Sequence, residues 1–179
     1  MLTRLRGRVS SLVSRIASPL AALPADFYTV LGLAAVAPYL YACSRGSPGL
    51  AAVLLLVSAG LDALDGAVAR LRGEAGPRGA YLDSLLDRVA DAAYAAGLFM
   101  LGYGVWLAYL FAVGSLLVSY SRARYESLAR GSMEGVGLVE RGDRVLVLAA
   151  VLLLAAAGAW AASKLLLATL TAAAWATFL

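Results

Sequence analysis

The stretch from Leu61 to Asp91, LDALDGAVARLRGEAGPRGAYLDSLLDRVAD, lies between long apolar runs and limits what the chain can become. It carries six carboxylates: Asp62, Asp65, Glu74, Asp83, Asp87 and Asp91. Asp62 and Asp65 are three residues apart, and Asp83 and Asp87 are four apart. On helices these spacings put each pair on one face, with Cβ atoms about 5–6 Å apart. Like charges that close are unfavourable unless something positive sits among them. Between the pairs, Arg70, Arg72, Gly73, Gly76, Pro77, Arg78 and Gly79 break the helix and let the two segments fold back as antiparallel neighbours. Four aspartates are thereby brought near one membrane boundary, and a hard divalent cation is the simplest agent to hold them.

Of the 179 residues, 62% are hydrophobic, against about 45–50% in soluble domains. The chain therefore reads as a single all-α polytopic membrane domain over residues 1–179. Its lone cysteine, Cys43, excludes an internal disulfide. The absence of histidine removes imidazole acid–base chemistry and the common zinc sites. Carboxylates are left as the available bases, and oxygen-loving metals as the expected ions. The net charge of +4 comes almost wholly from arginine, Lys164 being the one lysine. Residues Val9–Leu23 are interrupted by Arg15 and Pro19, so residues 1–24, with Arg4, Arg6 and Arg8, predict an interfacial amphipathic helix rather than a cleaved leader.

Six spans are predicted in residues 25–179. The first starts at Pro24–Thr29, where Asp26 is placed to cap it, and runs to about Cys43. After the turn Ser44–Pro48, the second begins near Gly49 and ends in Asp62 and Asp65. The third runs from Gly79 to Leu101, the fourth from Val105 to about Ser121, the fifth over Val145–Ala161 and the sixth over Lys164–Leu179. In this layout Arg45 and Lys164 fall on one side, Arg88 lies within the third span, and the other arginines collect on the opposite side. The excess of positive charge places both termini and the aspartates at the cytoplasmic face.

The aspartates form a fixed pattern, Asp62-x-x-Asp65-Gly66-x-x-Ala69-Arg70, eight residues, then Gly79-x-x-x-Asp83-x-x-x-Asp87. The plain alternative is a set of solvated helix ends, but ionisable groups at membrane depth are costly and point to function. Gly66 and Ala69, one turn apart, allow close approach to the backbone. The pattern resembles the signature of the CDP-alcohol phosphotransferase family, matched at eight fixed residues over 26 positions. The resemblance implies transfer of a substituted phosphate from a CDP-linked lipid to an alcohol, with release of CMP. It implies that Asp62, Asp65, Asp83 and Asp87 bind one or two Mg²⁺ or Mn²⁺ ions and that Asp87 is the general base. Asp62, Gly66, Ala69, Arg70 and Gly79 would contact or shape the CDP site. A homodimer is expected from the family alone. A cation held by carboxylates can bridge diphosphate oxygens and offset charge on the leaving CMP.

A second constellation is Ser119-Tyr120-Ser121-Arg122-Ala123-Arg124 with Glu140-Arg141-Gly142-Asp143-Arg144. One reading is basic anchoring at the cytoplasmic face. The other is an anion pocket of forked guanidinium groups. The segments resemble those of inositol-phosphate-using members of the family, which implies myo-inositol 1-phosphate as acceptor, with Arg122, Arg124, Arg141 and Arg144 on its phosphate. Glycerol 3-phosphate is the alternative acceptor. Thr29 follows a partial match to a nucleotide-side motif and is assigned to CDP, while Asp91 is expected to pair with Arg88 or an arginine of a neighbouring helix. CDP-archaeol and CDP-diacylglycerol both stand as donors, and nucleic acid is not expected as a partner. A cation channel or transporter is the rival reading, disfavoured because the carboxylates sit at one end of their spans.

Overall fold

The computed structural model describes residues 17–129 and 139–178. Seven helices lie wholly within the described residues: α1 (Ala25–Ala34), α2 (Val36–Ser44), α3 (Pro48–Arg72), α4 (Pro77–Met100), α5 (Val105–Ala129), α6 (Arg141–Ala156) and α7 (Trp160–Phe178). Local chemistry sets their ends. Pro48 and Pro77 open α3 and α4, where a missing N–H costs nothing. Gly73 closes α3 at φ +68°, a left-handed conformation that suits glycine. Glu140 and Asp143 form a reciprocal capping box at the start of α6, with the Asp143 carboxylate accepting the Glu140 N–H at 3.1 Å.

Three boundaries differ from the sequence reading. The first predicted span is two helices broken at Ala35, because Pro38 lacks an N–H and its ring crowds the Ala34 carbonyl. Asp26 lies in the first turn of α1 and makes no cap bond; Pro24 occupies the cap position. The fifth predicted span begins earlier, at Arg141, which places Arg141 and Arg144 on the first turn of a helix.

Among the described residues, three stretches are long and apolar enough to cross a membrane: Ala25–Ser44, Pro48–Arg72 and Val105–Ala129. The chain is therefore read as an integral membrane protein. The remaining helices give weaker signals for physical reasons. α4 carries Arg78, Asp83, Asp87, Arg88 and Asp91, α6 has 16 residues, and α7 contains Lys164.

α3 packs against α1 and α6, α4 against α2 and α5, and α7 against both α5 and α6. Tyr39, Leu55, Tyr94, Leu98, Leu148, Leu152 and Leu167 fill the core. Within it, the Tyr94 hydroxyl donates to Ser58 Oγ at 2.9 Å, and Ser58 Oγ donates to the Gly32 carbonyl at 2.8 Å. The Tyr39 hydroxyl donates to the Tyr94 carbonyl at 2.9 Å. This buried chain ties α1, α2, α3 and α4 together one turn from Thr29, Asp62 and Asp91. Gly97 makes room for Tyr39: a Cβ there would fall 2.5 Å from the ring and hydroxyl. Gly97→Ala is expected to destabilise the protein by about 1–3 kcal/mol, read as a lower thermal midpoint in detergent. An unchanged midpoint would mean that the Tyr39 ring moves aside freely.

Residues 1–16, most of the predicted interfacial helix, lie outside the described residues. The described remainder, 17–20, is helical and is followed by turns. Ala17 is buried with Ala25, Tyr28, Ala67 and Val68, and the Tyr28 hydroxyl donates to the Leu20 carbonyl at 2.7 Å. Arg72 Nη1 donates to the Ala21 carbonyl at 2.7 Å, while Arg72 Nε donates to Glu74 Oε1 at 2.6 Å. That bond holds the Glu74 carboxyl below its ordinary range. The far end of α3 is thus clipped to the segment that leads into α1.

Candidate active site

Three helices supply the site. α3 carries Asp62 and Asp65, α4 carries Asp83, Asp87 and Asp91 on successive turns, and the first turn of α6 carries Arg141 and Arg144. Asp62, Asp83 and Asp87 each offer one carboxylate oxygen, and the three oxygens lie within 4.8 Å of one another. Asp65 is buried, and its Oδ2 accepts the Thr29 hydroxyl at 2.7 Å. The structure thus gathers three of the four predicted ligands directly and links the fourth to Thr29, the residue assigned to CDP.

The nearest positive charge comes from α6. Arg141 Nη1 donates to Asp62 Oδ2 at 2.5 Å. Asp87 Oδ1 lies 2.9 Å from the same nitrogen but outside hydrogen-bond geometry, so this buried oxygen has no hydrogen-bond partner. Arg144 Nη2 donates to Asp91 Oδ2 at 2.8 Å and to Ser119 Oγ at 3.4 Å. Asp91 therefore pairs with α6 and not with Arg88. Arg88 turns to the Ser84 carbonyl and hydroxyl, and to the Ser119 carbonyl at 3.3 Å.

The donor set fits a divalent cation. It consists of hard carboxylate oxygens from two helices, already converged, with one buried oxygen still unsatisfied. Asp62, Asp83 and Asp87 are the residues that would hold it.

Among α5, α6 and α7, a cleft of about 270 Å³ is lined by Ser119, Ser121, Arg122, Tyr125, Arg141 and Arg144, among others. Three of the four arginines assigned to the acceptor share this cleft. Arg124 is exposed and does not line it. Arg122 also pairs with Glu126 one turn along α5 at 3.1 Å. Arg141 faces both the cleft and the carboxylates, so the two regions are contiguous. Gly66, Ala69 and Arg70 occupy the last turns of α3; Arg70 is exposed, with Nη1 3.5 Å from where a Gly66 Cβ would stand. Gly79, on the first turn of α4, has open space where a side chain would be. Ser119, which the sequence places in the second constellation without a role, is the meeting point of Arg88 and Arg144, a pairing across helices that spacing along the chain does not specify.

Comparison with known proteins places this geometry. Residues 22–179 match the model of the CDP-alcohol phosphatidyltransferase family. The chain is 36% identical over 151 residues to the archaetidylinositol phosphate synthase of Pyrococcus horikoshii, spanning 83% of this chain and 80% of that protein. It is 40% identical over 149 residues to the enzyme of the same name from Aeropyrum pernix, spanning 83% and 74%. Among solved structures, phosphatidylinositol phosphate synthase of Mycobacterium tuberculosis in complex with manganese and citrate aligns with a TM-score of 0.80. The identity there is 27%, over 93% of this chain and 85% of the other. The same enzyme with CDP-DAG bound aligns at 0.74 and 28% identity, over 92% and 88%. With its aspartate signature gathered at the junction of α3, α4 and α6, this chain belongs to the CDP-alcohol phosphatidyltransferase family, a family of transferases.

Proposed function

We propose that the protein transfers an archaetidyl or phosphatidyl group from a CDP-lipid to myo-inositol 1-phosphate, releasing CMP, in a reaction that requires Mg²⁺ or Mn²⁺. One observation carries the reading: Arg141 joins the Asp62–Asp83–Asp87 cluster to an arginine-lined cleft, so a diphosphate site and a phosphate-monoester site share a wall. The names of the relatives favour inositol phosphate over glycerol 3-phosphate as acceptor, and CDP-archaeol over CDP-diacylglycerol as donor.

In this scheme the diphosphate of the donor lies against the carboxylate cluster, with Gly66, Ala69, Arg70, Gly79 and Thr29 around the cytidine end. Asp62, Asp83 and Asp87, with Asp65 beside them, would hold the divalent cation, which would supply positive charge to the phosphate oxygens. Arg122, Arg141 and Arg144 take the acceptor phosphate by forked hydrogen bonds, with Arg124 at the rim. Asp87 accepts the proton of the attacking hydroxyl. The hydroxyl oxygen forms a bond to the phosphorus that bears the lipid, and the bond from that phosphorus to CMP breaks. The full arrangement is six spans with both termini and the site at the cytoplasmic face, in a homodimer.

The test offers purified protein CDP-archaeol or CDP-diacylglycerol with inositol 1-phosphate, glycerol 3-phosphate, inositol or serine, and measures CMP. Release with inositol 1-phosphate, abolished by a chelator and restored by Mg²⁺ or Mn²⁺, is the expected outcome. A preference for glycerol 3-phosphate would move the protein to the glycerophosphate-transferring branch. Full activity in chelator would overturn the metal assignment.

A further inference from the structure

Arg141 and Arg144 stand one turn apart on α6, facing Asp87 and Asp91, one turn apart on α4. The two helices are therefore bridged by a pair of side-chain rungs. The upper rung sets Arg141 Nη1 2.9 Å from Asp87 Oδ1, and the lower sets Arg144 Nη2 2.8 Å from Asp91 Oδ2. A longer contact crosses between them, Arg141 Nε to Asp91 Oδ1 at 3.8 Å. The lower rung is withdrawn from solvent, Asp91 being 6% and Arg144 2% exposed.

Both arginines line the cleft, yet each retains an Nε with no hydrogen-bond partner. Asp91 itself does not line the cleft, does not belong to the Asp62–Asp83–Asp87 cluster and lies outside the aspartate signature. Its carboxylate nevertheless touches both arginines.

We infer that Asp91 is a positioning residue for the acceptor: it fixes Arg141 and Arg144, which line the cleft, from outside it, so that their guanidinium groups are held ready for a phosphate monoester. This rests on the reading of the cleft as the acceptor site. An arginine side chain has many rotamers to lose when it binds an anion. A partner that holds it in place beforehand removes part of that cost and sets the direction of its fork. The lower rung is the fixed post, because Arg144 is bonded to Asp91 and Ser119 at once. Arg141, shared with Asp62 and Asp87, is the arm that reaches across to the donor side.

The test uses the full chain and measures kcat and both KM values for Asp91→Asn, together with equilibrium binding of inositol 1-phosphate and of Mn²⁺. The KM and dissociation constant for the phosphorylated acceptor are expected to rise roughly ten- to hundredfold, the range seen when the partner of a ligating residue is removed. KM for the CDP-lipid and the Mn²⁺ dissociation constant are expected to stay within about twofold. Asp91→Glu, which keeps the charge, is expected to recover part of the acceptor affinity. If Asp91→Asn folds poorly, Asp91→Glu, which keeps the buried charge, carries the test: a raised acceptor KM with an unchanged CDP-lipid KM supports the positioning role, and an unchanged acceptor KM overturns it. Equal losses for both substrates, or a lowered thermal midpoint with unchanged acceptor KM, would overturn the assignment and leave Asp91 a stabilising residue only. If the wild-type protein prefers glycerol 3-phosphate, the inositol reading fails, but the same variants measured with that phosphate still decide the role of Asp91. Turnover of unphosphorylated alcohols alone would overturn both.

Discussion

CMP release by the Asp87→Asn variant is expected to fall by about a thousandfold or more, with binding of the CDP-lipid still measurable. Asparagine keeps the shape of the side chain but cannot take a proton from the acceptor hydroxyl. Asp87 also belongs to the carboxylate trio, so the loss has two sources, base and cation ligand, and metal concentration separates them. Excess Mn²⁺ restoring turnover would make Asp87 a ligand without a base role. A defect that persists at saturating Mn²⁺ supports proton transfer at Asp87. Retained turnover at ordinary metal levels would remove Asp87 from the chemistry altogether. The absence of histidine from the chain sharpens the test, since no imidazole stands by to replace the lost base.

Arg141→Ala is expected to raise KM for the phosphorylated acceptor by about a hundredfold, the scale on which truncating one member of a buried charge pair acts. KM for the CDP-lipid should change far less. The position of Arg141 adds a second expectation. Its guanidinium lies 2.5 Å from Asp62 and 2.9 Å from Asp87, so its removal leaves two carboxylates without their positive neighbour. Divalent cations should consequently bind the variant more tightly, as read by Mn²⁺ titration without acceptor. Arg141→Lys keeps the charge but loses the planar fork, and should fall between wild type and alanine in acceptor KM. Equal effects on both substrates, with unchanged metal affinity, would reduce Arg141 to a membrane anchor.

Much of this site is legible in one dimension because helix periodicity is strict. Spacings of three and four residues place Asp62 with Asp65 and Asp83 with Asp87 whatever the tertiary fold. The expected antiparallel packing of the two segments on each other is not observed. α3 packs mainly on α1 and α6, and α4 on α2 and α5, and the segments converge through their aspartate side chains. The chemistry open to the chain was likewise bounded by composition: no histidine, a single cysteine and many arginines. Element boundaries were less legible where two local signals compete. Val36–Cys43 reads as continuous apolar helix, and only the clash of Pro38 with the turn before it breaks the first span at Ala35. At α6 the capping box, rather than the start of the apolar run, decides where the helix begins.

Pairings across helices were beyond periodicity. Asp91 has Arg88 three residues away and Arg144 fifty-three away, and local spacing gives no reason to choose the distant one. The choice comes from packing: α6 packs on α3, the arginines of its first turn reach the aspartates of α4, and Arg88 is directed toward α5. The same packing turns Asp65 to Thr29 and leaves Arg124 outside the cleft that Arg122, Arg141 and Arg144 share. Sequence by itself therefore determined the class of fold and the grouping of the aspartates, which follow from residue type and helical spacing, and it pointed to the kind of reaction through the resemblance of the aspartate pattern to a known family. Tertiary structure alone decided which charge neutralises which, because in a low-dielectric interior an ion pair is settled by a few ångströms of approach between helices that the chain order does not specify.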